Sequence, residues 1–452
     1  MNQLQKRFDK TFFKSLISIA LPLTIQNLIS SSLNMVDVLM IGSLGDAPLA
    51  AVGIGNQFFF LLMLFLFGVN SGGAIFVAQY CGRGDVLSIR KTLSLTLMLG
   101  GGISILFSIF AFLLPENIML IFIEDPEVVS LGASYLRILS MSYLSTAVSF
   151  SFAFASRSIG KAALPMKVSV FSLGLNTLLN YLLIFGSFGF PELGIQGAAI
   201  ATLIARIIEM FILVGVIYWN RLELSTRLKD FRSLDKLFLR RFFKTATPVI
   251  LNEVFWSLGV TLYTYAYAQL GTEAIAAVQI SNTIQNLFMV VAFGLGSASS
   301  VMIGNEIGAG RRERAFTYAI NFSLISPLIG VLMGSLLFFS APYLVLFFNV
   351  SDTVALYAEN ILRVLSFVIF AKMFNVTLII GILRGGGDTT FSLFLEIGSV
   401  WFVGVPMAFL GALYFQFPVY YVVALIAIEE IVKALVGIPR VLSKKWIKSV
   451  ID

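Results

Sequence analysis

Histidine is missing from all 452 residues, so any proton relay in this protein has to run through carboxylates rather than imidazole. The one cysteine, Cys81, excludes an intrachain disulfide and a metal site built from thiolates. Charge is scarce too: Asp, Glu, Lys and Arg make up 12% of the chain, against 58% apolar residues and a mean hydropathy of +0.92. That is far more apolar surface than a soluble core needs, and it indicates a polytopic membrane protein.

Runs of mostly apolar residues long enough to cross about 30 Å of hydrocarbon as helices recur along the sequence. Twelve are expected, at 13–41, 50–79, 92–114, 132–155, 165–187, 195–219, 242–268, 276–304, 316–340, 357–383, 390–412 and 419–439. The first follows Lys6, Arg7, Lys10 and Lys14 in the manner of a secretory signal, but its apolar stretch is too long and lacks a small-residue cleavage site, so a retained helix is expected. Of the 31 Lys and Arg, 26 fall at the termini and in alternate loops of this plan. Short cytoplasmic loops carry such an excess, which puts both termini in the cytoplasm and the chain in the cytoplasmic (inner) membrane. The net charge of +7 is therefore a topology signal and does not argue for a nucleic-acid partner.

The sequence is also written twice. At an offset of 226, ALPLTIQNL from Ala20 lies over ATPVILNEV from Ala246, LGDAPLAAVGIGN over LGTEAIAAVQISN, and YLRILS (Tyr135 to Ser140) over ILRVLS. One residue later in register, SRSIG (Ser156 to Gly160) falls on LRGGG (Leu383 to Gly387). Loops match as well as helices, which shared hydrophobicity alone does not explain. Six spans per repeat, an even number, give both halves the same orientation, as in transporters with parallel repeats. The expected fold is all-α, twelve transmembrane helices in two six-helix lobes: residues 1–219, a basic cytoplasmic linker over 220–244, and 245–452. Part of the linker suits a helix lying on the membrane surface.

With VDVLMIGSLG in the first span, NTLLNYLLIFG in the fifth, LGIQGAAIAT opening the sixth, GAGRRERA after the eighth and LRGGGDT after the tenth, the chain resembles the multidrug and toxic compound extrusion (MATE) family, bacterial type, over its full length. The resemblance implies a secondary antiporter that exports organic, often cationic, compounds in exchange for inward Na+ or H+ by alternating access. No other cofactor, small organic cations and membrane lipid as partners, and a monomer are expected.

Asn27, Ser30, Asn34 and Asp37 in the first span are spaced 3, 4 and 3, which makes one polar stripe on a helix. An ionised aspartate inside a membrane helix costs about 2.5–3.5 kcal/mol on insertion scales, so Asp37 is expected to face a partner rather than lipid. Asn176 and Asn180 stack at i and i+4 on the fifth span, and Thr202 lies in the sixth. A carboxylate with amide and hydroxyl oxygens is a ligand set for a hard cation such as Na+, and a desolvated carboxylate alternatively exchanges a proton. In related transporters a cation site lies in this lobe, and Asp37, Asn176, Asn180 and Thr202 match its motif positions. Some relatives have Asp where this chain has Asn180, so the site here carries one acid fewer.

In the second repeat Tyr263 replaces Asp37, and Glu253 stands over Asn27. Glu253, Trp256, Val260, Tyr263 and Tyr267 share a helical face, and the eighth span adds Gln279, Asn282 and Asn286. An acid framed by aromatic rings and amides suits an organic cation, through charge pairing and cation–π contact. Family members place an essential glutamate at the Glu253 position, so Glu253, Trp256, Tyr263, Gln279, Asn282 and Lys372 are expected to form a substrate or second coupling site, with Lys372 available to neutralise Glu253 or another acid. Pairing within helices is expected for Arg206 with Glu209 and for Glu430 with Lys433, beside Glu429. Arg137 and Arg363 sit where long side chains snorkel, and Glu396 is unassigned. GxxxG spacings at Gly68/Gly72 and Gly304/Gly308 suggest close helix packing. GGGD (Gly385 to Asp388) and RGD (Arg83 to Asp85) imitate protease and adhesion motifs, but both fall in cytoplasmic loops. The alternative function is a lipid-linked flippase of the same wider superfamily, which needs a cleft rich in Arg and Lys. A membrane enzyme is disfavoured for want of nucleophiles and metal-ligand clusters.

Overall fold

The computed structural model describes residues 10–348 and 350–452; the basic residues Lys6 and Arg7 lie outside them. Its helices are α1 (Lys10–Gly42), α2 (Asp46–Arg83), α3 (Val86–Leu113), α4 (Pro126–Ser140 and Tyr143–Ser158), α5 (Ala163–Phe185) and α6 (Gly194–Trp219). The second set is α7 (Lys236–Ala268), α8 (Thr272–Gly308), α9 (Arg312–Val345), α10 (Asp352–Arg384), α11 (Thr389–Tyr414) and α12 (Val419–Ile426 and Ile428–Leu442). No strand occurs among the described residues. The chain is a multi-pass membrane protein whose described residues form twelve membrane helices, in two lobes of six, besides short helices at Pro115–Leu120 and Leu228–Arg232.

Nine of these helices are unbroken, long and apolar enough to span a bilayer, and α4 makes a tenth although it bends by 51° between its two pieces. The other two expected spans are present but more polar or broken. α7 starts with the cationic run KLFLRRFFK, and α12 is interrupted at Ala427 just before Glu429, Glu430 and Lys433. α1 and α7 pass without a break through Pro22 and Pro248. α10 and α11 leave α-helical geometry for wider π-helical turns at Thr377–Arg384, Val400–Gly404 and Leu410–Tyr414, a form often found at functional sites.

Contacts divide the chain into two compact units. One comprises residues 25–81 and 85–242. Leu62, Leu66, Met119, Tyr143, Ile184 and Ala199 form its dry centre, each fully or almost fully buried. Asp85 of the RGD sequence caps α3 by accepting from Ser88 N at 3.0 Å and Ser88 Oγ at 2.6 Å, a structural task. α5 ends on Gly186 in the left-handed conformation, φ 65°, which glycine adopts without a steric penalty. α5 and α6 pack so closely that a methyl at Gly197 would overlap the Leu183 carbonyl.

The other unit contains the described residues up to 24, residues 82–84 and residues 243–452. Phe12 of α1 is fully buried edge-on against Tyr318 and Phe322 of α9, both ring centroids at 5.2 Å. α9 and α10 approach at Gly330 and Gly334, where an added methyl would strike the backbone of Phe370 and Ser366. Gly330 and Gly334 are themselves a GxxxG pair, and Gly68, Gly72, Gly304 and Gly308 are buried. Asp388 of the GGGD sequence is 1% exposed and receives Arg440 at 2.7 Å and Lys448 at 2.6 Å, which fastens the C-terminal segment.

Candidate cation site

Asp37 lies more than seven turns into α1, and the two helices that follow α4 bring it two asparagine partners and place a threonine behind one of them. Asn180 Nδ2 donates to Asp37 Oδ1 at 2.9 Å. The surrounding hydrogen bonds orient the Asn176 amide: its nitrogen donates to Asp37 Oδ2 at 3.1 Å and its carbonyl faces the Thr202 hydroxyl at 3.3 Å. Asn176 and Asn180 are 7% and 2% exposed. All four residues expected from the sequence therefore meet, on α1, α5 and α6. The geometry suits a hard monovalent cation. Asp37 supplies one formal negative charge, no Lys or Arg bonds it among the described residues, and Asn180 Oδ1 is a buried carbonyl without a hydrogen-bond donor. Tyr135 stands nearby on α4, with its hydroxyl donating to Asn56 Oδ1 at 3.3 Å.

A polar chain in the same unit went unread in the sequence. Arg157 Nη2 donates to Gln26 Oε1 at 3.3 Å, Gln26 Nε2 to Ser169 Oγ at 3.0 Å, and Ser169 Oγ to Glu209 Oε1 at 2.6 Å. Arg206 Nη1 closes it on Glu209 Oε2 at 2.9 Å, the pairing expected from their spacing. Gln26 lies off the Asn27–Asp37 stripe, so helical spacing does not mark it. Its signal was the repeat itself, since Arg157 and Arg384 occupy equivalent positions and both bind α1 or α7.

The second expected site is divided by the structure. Glu253 receives Arg384 Nη2 at 2.8 Å, in an ion pair whose side chains are 14% and 3% exposed. Arg384, not Lys372, is its counter-ion. Lys372 Nζ instead donates to Gln285 Oε1 at 3.3 Å. Tyr263 gives its hydroxyl to Glu429 of α12, and Gln279, Asn282 and Trp256 are exposed. The reason is geometric. Ten residues of α-helix carry Tyr263 about 15 Å from Glu253 along the axis, and about 80° around it, so the two cannot share one small pocket. Glu396 is placed as well: it accepts from Lys433 Nζ at 2.8 Å, with Glu429 and Glu430 at 3.5 and 3.7 Å from the same nitrogen. Arg137 meets Glu116 at 3.0 Å and Arg363 meets Glu359 at 2.5 Å, in pairs of half-exposed side chains.

Comparison with known proteins places this arrangement. The MatE family model matches residues 22–182 and again 248–410, once in each repeat. "Probable multidrug resistance protein NorM" of Thermotoga maritima is 28% identical over 423 residues, covering 92% of this chain and 89% of the relative. "Uncharacterized transporter YisQ" of Bacillus subtilis is 25% identical, covering 98% and 97%. The crystal structure of a MATE protein in complex with MaL6 shares the fold at a TM-score of 0.87 and 21% identity, covering 96% of this chain and 97% of that one. With both halves matched and the fold shared from end to end, the chain belongs to the multidrug and toxic compound extrusion (MATE) family of membrane transporters.

Proposed function

We propose that the protein exports organic, cationic compounds across the cytoplasmic membrane, with both termini on the cytoplasmic side, in exchange for inward Na+ or H+ by alternating access. The observation that carries this reading is Asp37, a carboxylate in the last turns of membrane helix α1, bonded by Asn176 and Asn180 and, among the described residues, by no Lys or Arg. A half-buried carboxylate in a membrane helix, served only by neutral donors, retains a charge for a mobile cation. Its amide and hydroxyl neighbours supply the oxygens that Na+ takes, and protonation of the same carboxylate serves H+. One mobile positive charge balances the site in either case. The names of the relatives, multidrug resistance proteins among them, support export of xenobiotics.

The test is efflux of a fluorescent organic cation from proteoliposomes, driven separately by a Na+ gradient and by a pH gradient. At least one gradient is expected to drive efflux, and Asp37→Asn to abolish it while the protein still inserts and elutes as a single species. Full efflux in Asp37→Asn would remove Asp37 from the mechanism. Movement of lipid-linked headgroups without gradient-driven dye flux would favour the flippase instead.

A further inference from the structure

A second polar network lies between α7, α11 and α12, the helices that correspond in the repeat to α1, α5 and α6 around Asp37. Tyr263 occupies the repeat position of Asp37 and cannot carry a negative charge cheaply, yet its hydroxyl is bonded to a carboxylate, Glu429 of α12. The acid has moved from the first helix of the lobe to the last. Around it stand Glu396 from α11, Glu430 and Lys433 from α12, Tyr267 from α7, and Lys372 and Asn375 from α10.

These groups do not balance. Glu396, Glu429, Glu430 and Lys433 are 7%, 7%, 8% and 3% exposed. Lys433 is closest to Glu396, at 2.8 Å. Glu430 is held by Asn375 Nδ2 at 2.7 Å, and Lys372 is within electrostatic reach of it. Glu429 is left with a neutral phenol and a lysine at 3.5 Å that already has a nearer partner. Three carboxylates thus face two ammonium groups, and in a medium of low dielectric an uncompensated carboxylate is strongly penalised. Two further observations mark this as a built site rather than a chance gathering of acids. Asn375, 2% exposed, has a carbonyl oxygen with no partner on the same amide that bonds Glu430. Gly404, within a π-helical turn of α11, brings the backbone so close to Tyr263 Oη and Glu429 Oε2 that any side chain would collide with them.

We propose that Glu429 is the exchangeable member of a second, proton-specific site, and that the network around it takes up and releases one proton per molecule. The chemistry selects H+ over Na+. Lys433 already fills the position of a bound cation, leaving no cage of free oxygens, whereas a single proton on Glu429 brings three acids and two ammonium groups to neutrality. The Tyr263 hydroxyl serves both states, donating to the carboxylate and accepting from the carboxylic acid. The site stands on the observed network; only its use in transport rests on the antiporter reading.

The test is infrared difference spectroscopy of the purified full-length protein across a pH titration, in an Asp37→Asn background so that the first site is silent. A carboxylic-acid C=O band that titrates reversibly is expected, and it should vanish in Glu429→Gln. Tyr263→Phe, nearly isosteric and neutral, should keep the band but move it to higher frequency as the hydrogen bond is lost, which guards against a misfolded Glu429→Gln. Absence of a titrating band, its persistence in Glu429→Gln, or an unmoved band in Tyr263→Phe would overturn the proposal. Failure of the antiporter reading would show elsewhere, as gradient-driven efflux that Asp37→Asn does not change.

Discussion

Removal of the Arg384 side chain is the sharpest probe of how the second lobe stores charge. Arg384 is 2% exposed and its bond to Glu253 measures 2.8 Å, so Arg384→Met leaves a carboxylate in an apolar setting with no counter-ion. Breaking a buried pair from one side costs about 3–5 kcal/mol, which for a unit of roughly 200 residues is a fall in melting temperature of the order of 10 °C. The repeat supplies the control. In the first repeat the equivalent arginine, Arg157, bonds a glutamine one residue off the register of Glu253, Gln26, at 3.3 Å, so an arginine–amide pair is accommodated beside α1. Glu253→Gln also leaves a buried charge without its counter-ion but keeps an amide acceptor for it, so it should cost less than Arg384→Met, about 1–3 kcal/mol. The double variant Arg384→Met/Glu253→Gln, with no charge left to bury, should recover most of the single-variant loss. The assay is thermal unfolding of the four proteins in one detergent, followed by tryptophan fluorescence. A loss below about 1 kcal/mol in Arg384→Met, or a double variant no more stable than Arg384→Met, would refute the argument that charge imbalance sets the cost.

Gly197→Ala should separate α5 from α6 at the Leu183 carbonyl, cost about 1–3 kcal/mol, and pull Thr202 from Asn176, so cation-coupled efflux should fall more than protein yield. Asp388→Asn removes the charge that holds Arg440 and Lys448, and trypsin should cut sooner after Lys444 and Lys445, measured by mass spectrometry of the released tail. The Lys161 ammonium, between α4 and α5, is bonded at 2.8 Å to Glu223 in the loop after α6 and holds that carboxyl below its ordinary value of 4.5. A folded value that is lowered contributes stability fully above the unfolded value, and that contribution fades as pH falls through the folded one. Lys161→Ala should therefore lower the melting temperature slightly at neutral pH, by about a few tenths of a kcal/mol given the exposure of the pair, and make no difference in strong acid.

Hydropathy and repetition made most of the fold readable. Long apolar runs such as 50–79 leave a chain in a bilayer no alternative to helix, and the 226-residue offset divided the sequence into two lobes. The Asp37 cluster was readable because its members recur at helical spacing on three helices. The second lobe was harder for a physical reason. A stripe on one helix, Glu253 to Tyr267, shows which residues share a face but not which neighbouring helix each turn meets, and α10, α11 and α12 each met a different turn. Glu429 and Glu430 were read as local partners of Lys433 because i, i+3 and i, i+4 contacts are the pairs a single sequence displays. The contact from Lys433 to Glu396, 37 residues away, is set by packing alone.

The π-helical turn at Thr377–Arg384 bears on how the two halves diverged. The repeats align at an offset of 226 through Ser140 and Ser366, and at 227 by Arg157 and Arg384, so the second half holds one surplus residue in that interval. A π turn is what an α-helix makes of a single inserted residue when both its ends are pinned. The surplus residue is accommodated where the turn is wider, and Arg384 lies within reach of Glu253 on α7; without it the side chain would swing about 100° around the helix axis. One added codon, tolerated without breaking the helix, would thus have given the duplicated half room to depart from its twin.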